Sequence, residues 1–528
     1  MMIACKSNTR NLLNRSSGIA LALVLSIGVT VHAGMPAYAD DAEFVIGAGT
    51  EPDTMGVQEQ TSTAVQNYMD FIVEPLVKLA PDGSIQPGLA ESWEVSEDGL
   101  TYTFHLREGV KFHDGTEFDA EAVKFNFGRL LDEDVRVPLR GQFSMIKEVE
   151  VIDPLTVKTH LSATTPAFLG TMSSAPATMM SPAAIDKFGN SYKRIVHPIG
   201  TGPYKFVEYV QAEHIKLERW ESYWGEKPYF EKQTIKLIPE PASREAALLS
   251  GQADMIMQPP SSDIGALQAN EDVNVIIGDT TRVVYLAFNN QAEAFSDPRV
   301  RKAINHAVDK EAIIKSVLFD AAEPVHSHLS RHMASYCEVG YYDYDPEKAR
   351  AMLEEAGASG LQLEIVAPAG HYIQDRQAAS AIAAYLQQVG IKASVRTTDW
   401  ATYLAWVAEP PEQQGARMNM FGYAGSSPEQ ATPGMISFFG GDSTPPNGFN
   451  TAFYSNDEVD ELWRQASQEP DKEKRDALYC EAQKIFWGDA PWLFLWNQGI
   501  PIVTTADIEG VTTLPNEKYD AIYARPKK

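Results

Sequence analysis

The stretch that most constrains the fold runs from Leu89 to Phe127, LAESWEVSEDGLTYTFHLREGVKFHDGTEFDAEAVKFNF. Trp93 and Val95 alternate with polar residues up to the turn Glu97-Asp98-Gly99, and beyond it Tyr102, Phe104 and Leu106 alternate with Thr103, His105 and Arg107. Period-2 alternation around a Gly-containing turn predicts a hairpin with one buried face. A second turn, Arg107 to Gly109, leads to Val110 and Phe112, and His113-Asp114-Gly115 turns the chain again. Asp119 then caps a helix carrying Ala122, Val123 and Phe127, because a short carboxylate at that position accepts from the free N–H groups of the first turn. The expected product is a small β-meander closed by a helix.

The first 39 residues are read separately. Lys6, Arg10 and Arg15 form a basic start, Gly18 to Val31 is mostly apolar, and Ala37-Tyr38-Ala39 has the small-x-small pattern of a cleavage site. The apolar run is about a dozen residues, short of the roughly 20 needed to span a bilayer. The segment reads as a signal peptide cleaved after Ala39, with an exported, soluble mature chain. Cys5 precedes the apolar run, so there is no lipobox, and the expected location is the free periplasm. The formal net charge is −27. Removing a leader that holds only basic charges makes the mature chain more acidic still, which argues against nucleic acid or an anionic membrane as partner. Cys337 and Cys480 remain in an oxidising compartment. They either pair or stay free, since a disulfide needs Cα atoms roughly 4.4 to 6.8 Å apart and the sequence does not fix that distance.

Further along, Phe44-Val45-Ile46-Gly47-Ala48 is a short apolar strand running into the loop Gly49 to Thr54, the kind of strand end at which α/β proteins present ligand contacts. Pro198-Ile199-Gly200-Thr201-Gly202-Pro203-Tyr204 is a rigid Gly/Pro segment that lacks the GK[ST] ending of a phosphate-binding loop. The aromatic group Trp220, Tyr223, Trp224 and Tyr229 reads as packing. Tyr285 to Asn290 is an apolar strand ending in two amides, followed by a helix capped at Asp297-Pro298. Leu361–Ala367, Asp375–Val389 and Ile391–Thr397 read as a β-α-β unit, which implies parallel pairing. A helix from Trp400 to Val407 carries Trp400 and Tyr403, and the strand Arg417 to Tyr423 opens into Ala424-Gly425-Ser426-Ser427-Pro428-Glu429. His326, His328 and His332 share one loop, yet no carboxylate or further histidine stands at a ligand-like interval, so no metal site is assigned.

Leu89-Ala90-Glu91-Ser92-Trp93, Asp98-Gly99-Leu100-Thr101-Tyr102, Leu106-Arg107 and Lys111-Phe112-His113-Asp114-Gly115, in that order and spacing, resemble the signature region of the extracellular solute-binding proteins of oligopeptide, dipeptide, glutathione and nickel importers. The Pro198 to Tyr204 segment and the YLAFN…FSDPRVRKAINHAVDKEAI run resemble that family too, so the likeness spans about Phe44 to Trp496. It implies an α/β, two-lobe periplasmic binding protein of the cluster C type with an extra β-rich domain inserted in the first lobe. The implied division is a first lobe at 40–80, 200–290 and 490–528, an inserted domain at 81–199 and a second lobe at 291–489, with Asn289 and Asn290 near the hinge. Ligand would sit between the lobes.

Peptide carriers of the family place an Asp after a Gly-Trp strand end to hold the ligand's ammonium group. Here Gly422-Tyr423-Ala424-Gly425-Ser426-Ser427-Pro428-Glu429 has serines at that place and looks more like the Gly-Trp-Ser-x-Ser-Thr-Gly-Glu run of glutathione-type binding proteins. The expected ligand contacts are Thr50, Glu51, Asp53, Trp400, Tyr403, Arg417, Tyr423, Gly425, Ser426, Ser427 and Glu429. Arg417 or Arg282 would pair a ligand carboxylate, or either would form a salt bridge within the protein. The implied role is a monomeric, cofactor-free receptor that hands a short peptide or glutathione-like compound to ABC-transporter permease subunits. An opine, a nickel chelate or heme is the alternative cargo. A secreted peptide hydrolase is the rival class, but G-x-S-x-G, S-x-x-K, H-E-x-x-H and Walker patterns find no match in the required strand-loop-helix context.

Overall fold

The computed structural model describes residues 42–52, 54–59, 62–188 and 197–528. The chain divides between Ala39 and Asp40, and the described residues all belong to the unit 40–528; the expected signal peptide lies outside the described residues.

Three sheets carry the architecture. A seven-stranded sheet has the order Tyr204–Val210, His214–Arg219, Lys232–Leu237, Glu43–Ala48, Met255–Met257, Ile500–Thr505, Val273–Gly278. A six-stranded sheet has the order Ala322–Pro324, Trp492–Gln498, Val283–Phe288, Arg417–Tyr423, Gln362–Pro368, Lys392–Thr398. These are the cores of two lobes. In the second, Gln362–Pro368 pairs in parallel with Lys392–Thr398 through the helix Asp375–Gln388, the crossover that the sequence pattern predicts.

The central strand Val283–Phe288 shows why the second sheet is covered on both faces. All six residues are buried. Val284, Leu286 and Phe288 enter one core while Val283, Tyr285 and Ala287 enter the other, as the alternation of side chains across a pleated strand dictates. Such a strand has no polar face, and its sequence does not say which sheet it joins. The sequence reading placed 200–290 and 490–528 in the first lobe. In the structure Val283–Phe288 and Trp492–Gln498 pair with each other in the second sheet, so these two strands, at one end of each range, lie across the crossing from the lobe expected.

The third sheet, four-stranded with the order Ala90–Val95, Thr101–Leu106, Thr156–Leu161, Ile146–Asp153, belongs to the inserted region. Trp93 pairs with Phe104 across the expected hairpin. Burial is one-sided between the strands: Tyr102, Phe104 and Leu106 are buried, Trp93 is half-buried and Val95 is 48 % exposed. Asp119 accepts from Ala122 N–H (2.9 Å) at the start of the helix Ala120–Leu131, which closes the meander. Among the inserted region's own core residues are Leu76 and Val77, which precede the expected boundary at 81.

The insertion is fastened to the first lobe where the chain leaves and where it returns. Gly202 N–H donates to Ile72 O (2.9 Å) and Tyr204 N–H to Phe71 O (3.0 Å). The glycines are required by this close approach, since a Cβ at Gly200 would stand 2.2 Å from Ile72 O. His113, from the signature turn, donates its backbone N–H to Gly200 O (2.9 Å). Beside this junction Glu74, 2 % exposed, accepts from Lys78 Nζ (2.7 Å), Tyr223 OH (2.8 Å), Trp224 Nε1 (2.8 Å) and Thr201 Oγ1 (3.0 Å). The aromatic group around Trp220 thus contributes two donors to a buried carboxylate as well as packing.

Removing Glu74 lets the 37 % exposed Lys78 turn to water but leaves the buried Tyr223 and Thr201 hydroxyls without their acceptor, at about 2–6 kcal/mol for two groups worth about 1–3 each. Glu74→Ala is therefore expected to lower stability by about that amount, read as a fall in the midpoint of chemical denaturation. An unchanged midpoint would show that this node does not hold the two regions together.

Candidate functional site

Along the described residues the chain passes between the two large sheets twice, once from Gly278 to Val283 and once from Gln498 to Ile500. The crossings are knitted side by side. Thr280 Oγ1 donates to Gln498 O (2.5 Å), and Gln498 N–H donates to Arg282 O (3.0 Å). Gly499 lies between them, where a Cβ would meet Ile277 Cγ2 at 2.7 Å. Asn289 and Asn290, expected here, are elsewhere. Asn289 Nδ2 donates to Pro411 O (2.8 Å) and Gly415 O (3.0 Å), and Asn290 Nδ2 to Ala452 O (3.0 Å). Both amides serve to satisfy loop carbonyls at the far end of their strand, inside the second lobe.

Next to the crossings a cleft of about 610 Å³ separates the lobes. Arg244, Met257, Pro501 and Glu517 line one wall, and Arg282, His371, Tyr372 and Gln498 line the other. Its charges are largely committed. Arg282 spans the lobes and grips both carboxylate oxygens of Glu517, a bidentate geometry that suits the planar guanidinium. Arg244 donates to four backbone carbonyls, those of Met257, Ile238, Pro239 and Gln258. His371 stacks on Trp400 with centroids 3.6 Å apart and planes within 3°. Burial, and then the positive charge of Arg282, push the His371 pKa down to about 4, so the ring is neutral at pH 7.

The loop after Arg417–Tyr423 is where the second lobe meets the rest of the molecule. Asn516 Nδ2 donates to Ser426 O (3.2 Å). A Cβ on Gly83, in the turn before the meander, would stand 2.9 Å from Pro428 Cγ, and one on Gly170 would stand 2.2 Å from Ser427 Oγ. Gly425 is needed because its backbone runs against Ala431, 2.4 Å from where a Cβ would sit, and its N–H donates to Thr281 Oγ1 (3.1 Å). Ser427 is buried and caps the helix Pro428–Gly434 by accepting from Gln430 N–H (3.2 Å). Glu429, in the first turn of that helix, has Oε2 buried with no hydrogen-bond partner, and burial raises its pKa.

The remaining expected contacts are distributed differently. Tyr403 is fully buried and donates to Met420 O; it is a core residue, because the helix Trp400–Val407 turns this face inward. Arg417 is 6 % exposed and donates to Glu409 Oε2 (2.9 Å) and Trp406 O (3.1 Å) at the opposite end of its strand from Tyr423. The salt-bridge alternative holds for Arg417 and, across the lobes, for Arg282. Glu51 accepts from Tyr209 OH (2.6 Å) and Ala212 N–H (2.8 Å) on its own lobe, and those bonds lower its pKa. Thr50 O accepts from Tyr68 OH (3.1 Å). Asp53 lies outside the described residues. Tyr423 packs on Phe438 with centroids 4.8 Å apart.

His371 and Tyr372 were not among the expected contacts. They follow Gln362–Pro368, a strand whose carboxyl end obeys the same rule that singled out the loops after Glu43–Ala48 and Arg417–Tyr423. The three histidines do not converge. His328 is fully buried against Phe486 (4.3 Å) and Phe439 (5.3 Å), His326 faces Tyr341, and His332 faces Glu323 (3.3 Å). No group of three or more metal-binding side chains occurs among the described residues. Cys337 and Cys480 are bonded, with Cα atoms 5.3 Å apart, and none of the described helices is long and apolar enough to cross a membrane.

Comparison with known proteins follows this geometry. The sequence model of the bacterial extracellular solute-binding proteins, family 5 (middle), matches residues 84–457. Glutathione-binding protein GsiB of Pectobacterium atrosepticum is 30% identical over 479 residues, 90% of this chain and 93% of that protein. Among solved structures, NikA from Brucella suis in complex with Fe(III)-EDTA has a TM-score of 0.78 at 27% identity, covering 92% of this chain and 100% of that one. The periplasmic binding protein DppA from Helicobacter pylori in complex with the peptide STSA has a TM-score of 0.75 at 25% identity, covering 92% of this chain and 98% of that one.

The folded pKa of His371 lies below the ordinary value of 6.5. As pH falls the unfolded chain takes up this proton first, so the contribution of neutral His371 is present above pH 6.5 and is lost between 6.5 and about 4. His113 and His328, lowered to about 4 and about 3, act in the same direction. His371→Asn is expected to reduce, not abolish, the slope of thermal stability against pH in that window. A variant with the full wild-type slope would place the titration elsewhere.

Proposed function

The chain belongs to the bacterial extracellular solute-binding proteins of family 5, and from that premise we propose that it is the periplasmic receptor of an ABC importer for a short peptide or a glutathione-like compound. The observation that carries this reading is the buried, unpartnered Oε2 of Glu429, on the loop where the second lobe meets Gly83, Gly170 and Asn516. A carboxylate desolvated between two lobes favours a cationic partner, and an α-ammonium group supplies one. Arg282 and Arg417 are occupied by Glu517 and Glu409, so the ligand's own carboxylate is met by other donors, with the neutral His371 in the cleft wall as the first candidate. The names of GsiB and of the peptide complex of DppA support the same ligand class.

The two crossings act as the hinge. Ligand held by both walls binds the closed arrangement better than the open one and shifts the population toward it, and the closed form is what the permease subunits read. Residues 1–39 export the chain to the periplasm as a cleaved signal peptide, and the receptor works as a monomer without a cofactor. It binds and releases its ligand unchanged. Turnover of a bound peptide would assign it instead to the hydrolases.

Native mass spectrometry of the purified protein identifies any retained ligand, and calorimetry with glutathione and di-, tri- and tetrapeptides measures affinity. A charge-assisted hydrogen bond is worth about 1.5–3 kcal/mol, so Glu429→Gln is expected to weaken binding by roughly 10- to 100-fold. N-acetylation of the ligand should cause a similar loss, with no further effect of the variant. Silence from all of these compounds would sink the peptide reading and bring opines, nickel chelates and heme forward.

A side chain at position 170 collides with Ser427 in this arrangement. Gly170→Val is expected to leave the unliganded protein folded, to lower affinity at least about tenfold and to block ligand-induced compaction in small-angle scattering. Compaction equal to that of the wild type would show that closure does not pass through this contact.

A further inference from the structure

Close to the C-terminus a hairpin rooted in one lobe presents its tip to the other. Thr512–Thr513 pairs with Tyr519–Asp520, and the base is anchored in the first lobe. Tyr519, 2 % exposed, packs in the same core as Phe44 and Ile46, and its carbonyl accepts from Asn67 Nδ2 (2.8 Å). Lys518 Nζ donates to both oxygens of Asp70 (3.0 and 2.8 Å). The turn at the tip is closed by Glu517 N–H, which donates to Leu514 O (3.1 Å). Pro515, Asn516 and Glu517 then each bond beyond the body of the first lobe. Pro515 O accepts from Thr281 N–H (2.8 Å) in the crossing, Asn516 Nδ2 donates to Ser426 O (3.2 Å) on the second-lobe loop, and Glu517 holds the Arg282 guanidinium with both carboxylate oxygens.

Arg282 is fixed from the second-lobe side as well. Its Nη1 donates to Gly422 O (3.3 Å), and its guanidinium carbon lies 5.8 Å from the ring centroid of Tyr372, a residue of the second-lobe core whose hydroxyl accepts from Gly422 N–H (2.8 Å). The side chains of Arg282 and Glu517 are 18 % and 19 % exposed, so water and salt screen the pair less than they screen an ion pair on open surface. The backbone supplies an independent observation. Glu517 has φ of +66°, in the left-handed region that glycine occupies freely and a glutamate only at a cost. Such a conformation persists where its surroundings over-determine it. What glutamate adds here, and glycine would not, is the carboxylate on Arg282.

We infer that the tip from Leu514 to Lys518 is a built-in latch that draws the two lobes together before any ligand arrives. Bonds that reach from Asn516 and Glu517 to the second lobe form when the lobes are near each other, so they lower the free energy of the closed arrangement and not that of the open one. The latch therefore sets the fraction of unliganded protein that is already closed. Apparent affinity for anything bound between the lobes rises with that fraction, because less of the binding energy is spent on closure. The effect on the lobes holds whatever the cleft binds; only its consequence for affinity rests on the receptor reading above.

The test compares the mature, ligand-stripped protein with Glu517→Gly, which removes the carboxylate while relieving the left-handed backbone, so that the hairpin keeps its fold. Small-angle scattering without ligand is expected to give a larger radius of gyration for the variant than for the wild type. Arg282→Gln removes the other half of the pair and is expected to shift the scattering the same way, which keeps the test decisive should one variant fail to fold. Calorimetry with glutathione is expected to show affinity reduced about three- to tenfold in either variant. If glutathione binds none of the three proteins, the ligand reading fails while the scattering comparison still decides the latch. Unliganded variants that both scatter as the wild type does would overturn the inference.

Discussion

Two short crossings, placed side by side, govern what the rest of the chain is free to do. Each large sheet closes its own hydrophobic cores, Phe44 and Ile46 in the first lobe, Leu286 and Tyr285 on the two faces of the second, so neither lobe needs the other for burial. What joins them is the hydrogen bonding of the crossings at Thr280, Arg282 and Gln498, the Arg282–Glu517 ion pair and a few contacts at the closing face. Core packing is dense and does not deform continuously, whereas a pair of backbone crossings can absorb a rotation. A cleft bounded in this way can open without unfolding either lobe, and that separation of folding from motion makes lobe closure available to a ligand.

The inserted region is tied down by a different device. At its junction the chain leaves past Ile72 and Glu74 and returns through Gly200 and Gly202, and a Cβ on either glycine would strike the backbone of Ile72. The His113 turn docks on the same returning segment. The signature stretch is thus a clamp between insertion and first lobe, and its residues are absent from the cleft lining. The insertion nevertheless reaches the second lobe through Gly83 and Gly170, which approach Pro428 and Ser427. Rigid attachment at one end allows contact at the other to report closure.

How much of this was legible depends on whether a residue's role is local. Asp119 capping its helix and the parallel β-α-β unit around Asp375–Gln388 follow from patterns a few residues long, and both stand in the structure. The lobe boundary was not legible, since Val283–Phe288 is buried on both faces and an all-apolar strand carries no mark of its partner sheet. The site divides along the same line. Gly425 and Glu429 sit where the lobes meet, whereas Tyr403 spends its hydroxyl on Met420 O and Arg417 spends Nη1 on Glu409 and Trp406 O inside the second lobe. Sequence names a side chain's chemistry, but only tertiary neighbours decide whether that chemistry is already spent.

That distinction bears on ligand selection. An arginine facing a cleft suggests a carboxylate receptor, yet Arg282 is satisfied by Glu517 across the lobes and Arg244 by four backbone carbonyls. A ligand carboxylate could recruit either only by displacing bonds already made, which removes most of the gain. The buried atoms left without a partner include acceptors, such as Glu429 Oε2, and donors, such as Arg417 Nε and Trp492 Nε1, and of these Glu429 Oε2 is the one at the contact with Gly170. A buried carboxylate oxygen left open at that contact is repaired by a donor and not by another acceptor, which is the ground for the proposed ammonium-bearing ligand. On that proposal, selectivity follows from what the protein leaves unpaired, not from the total of charges it presents.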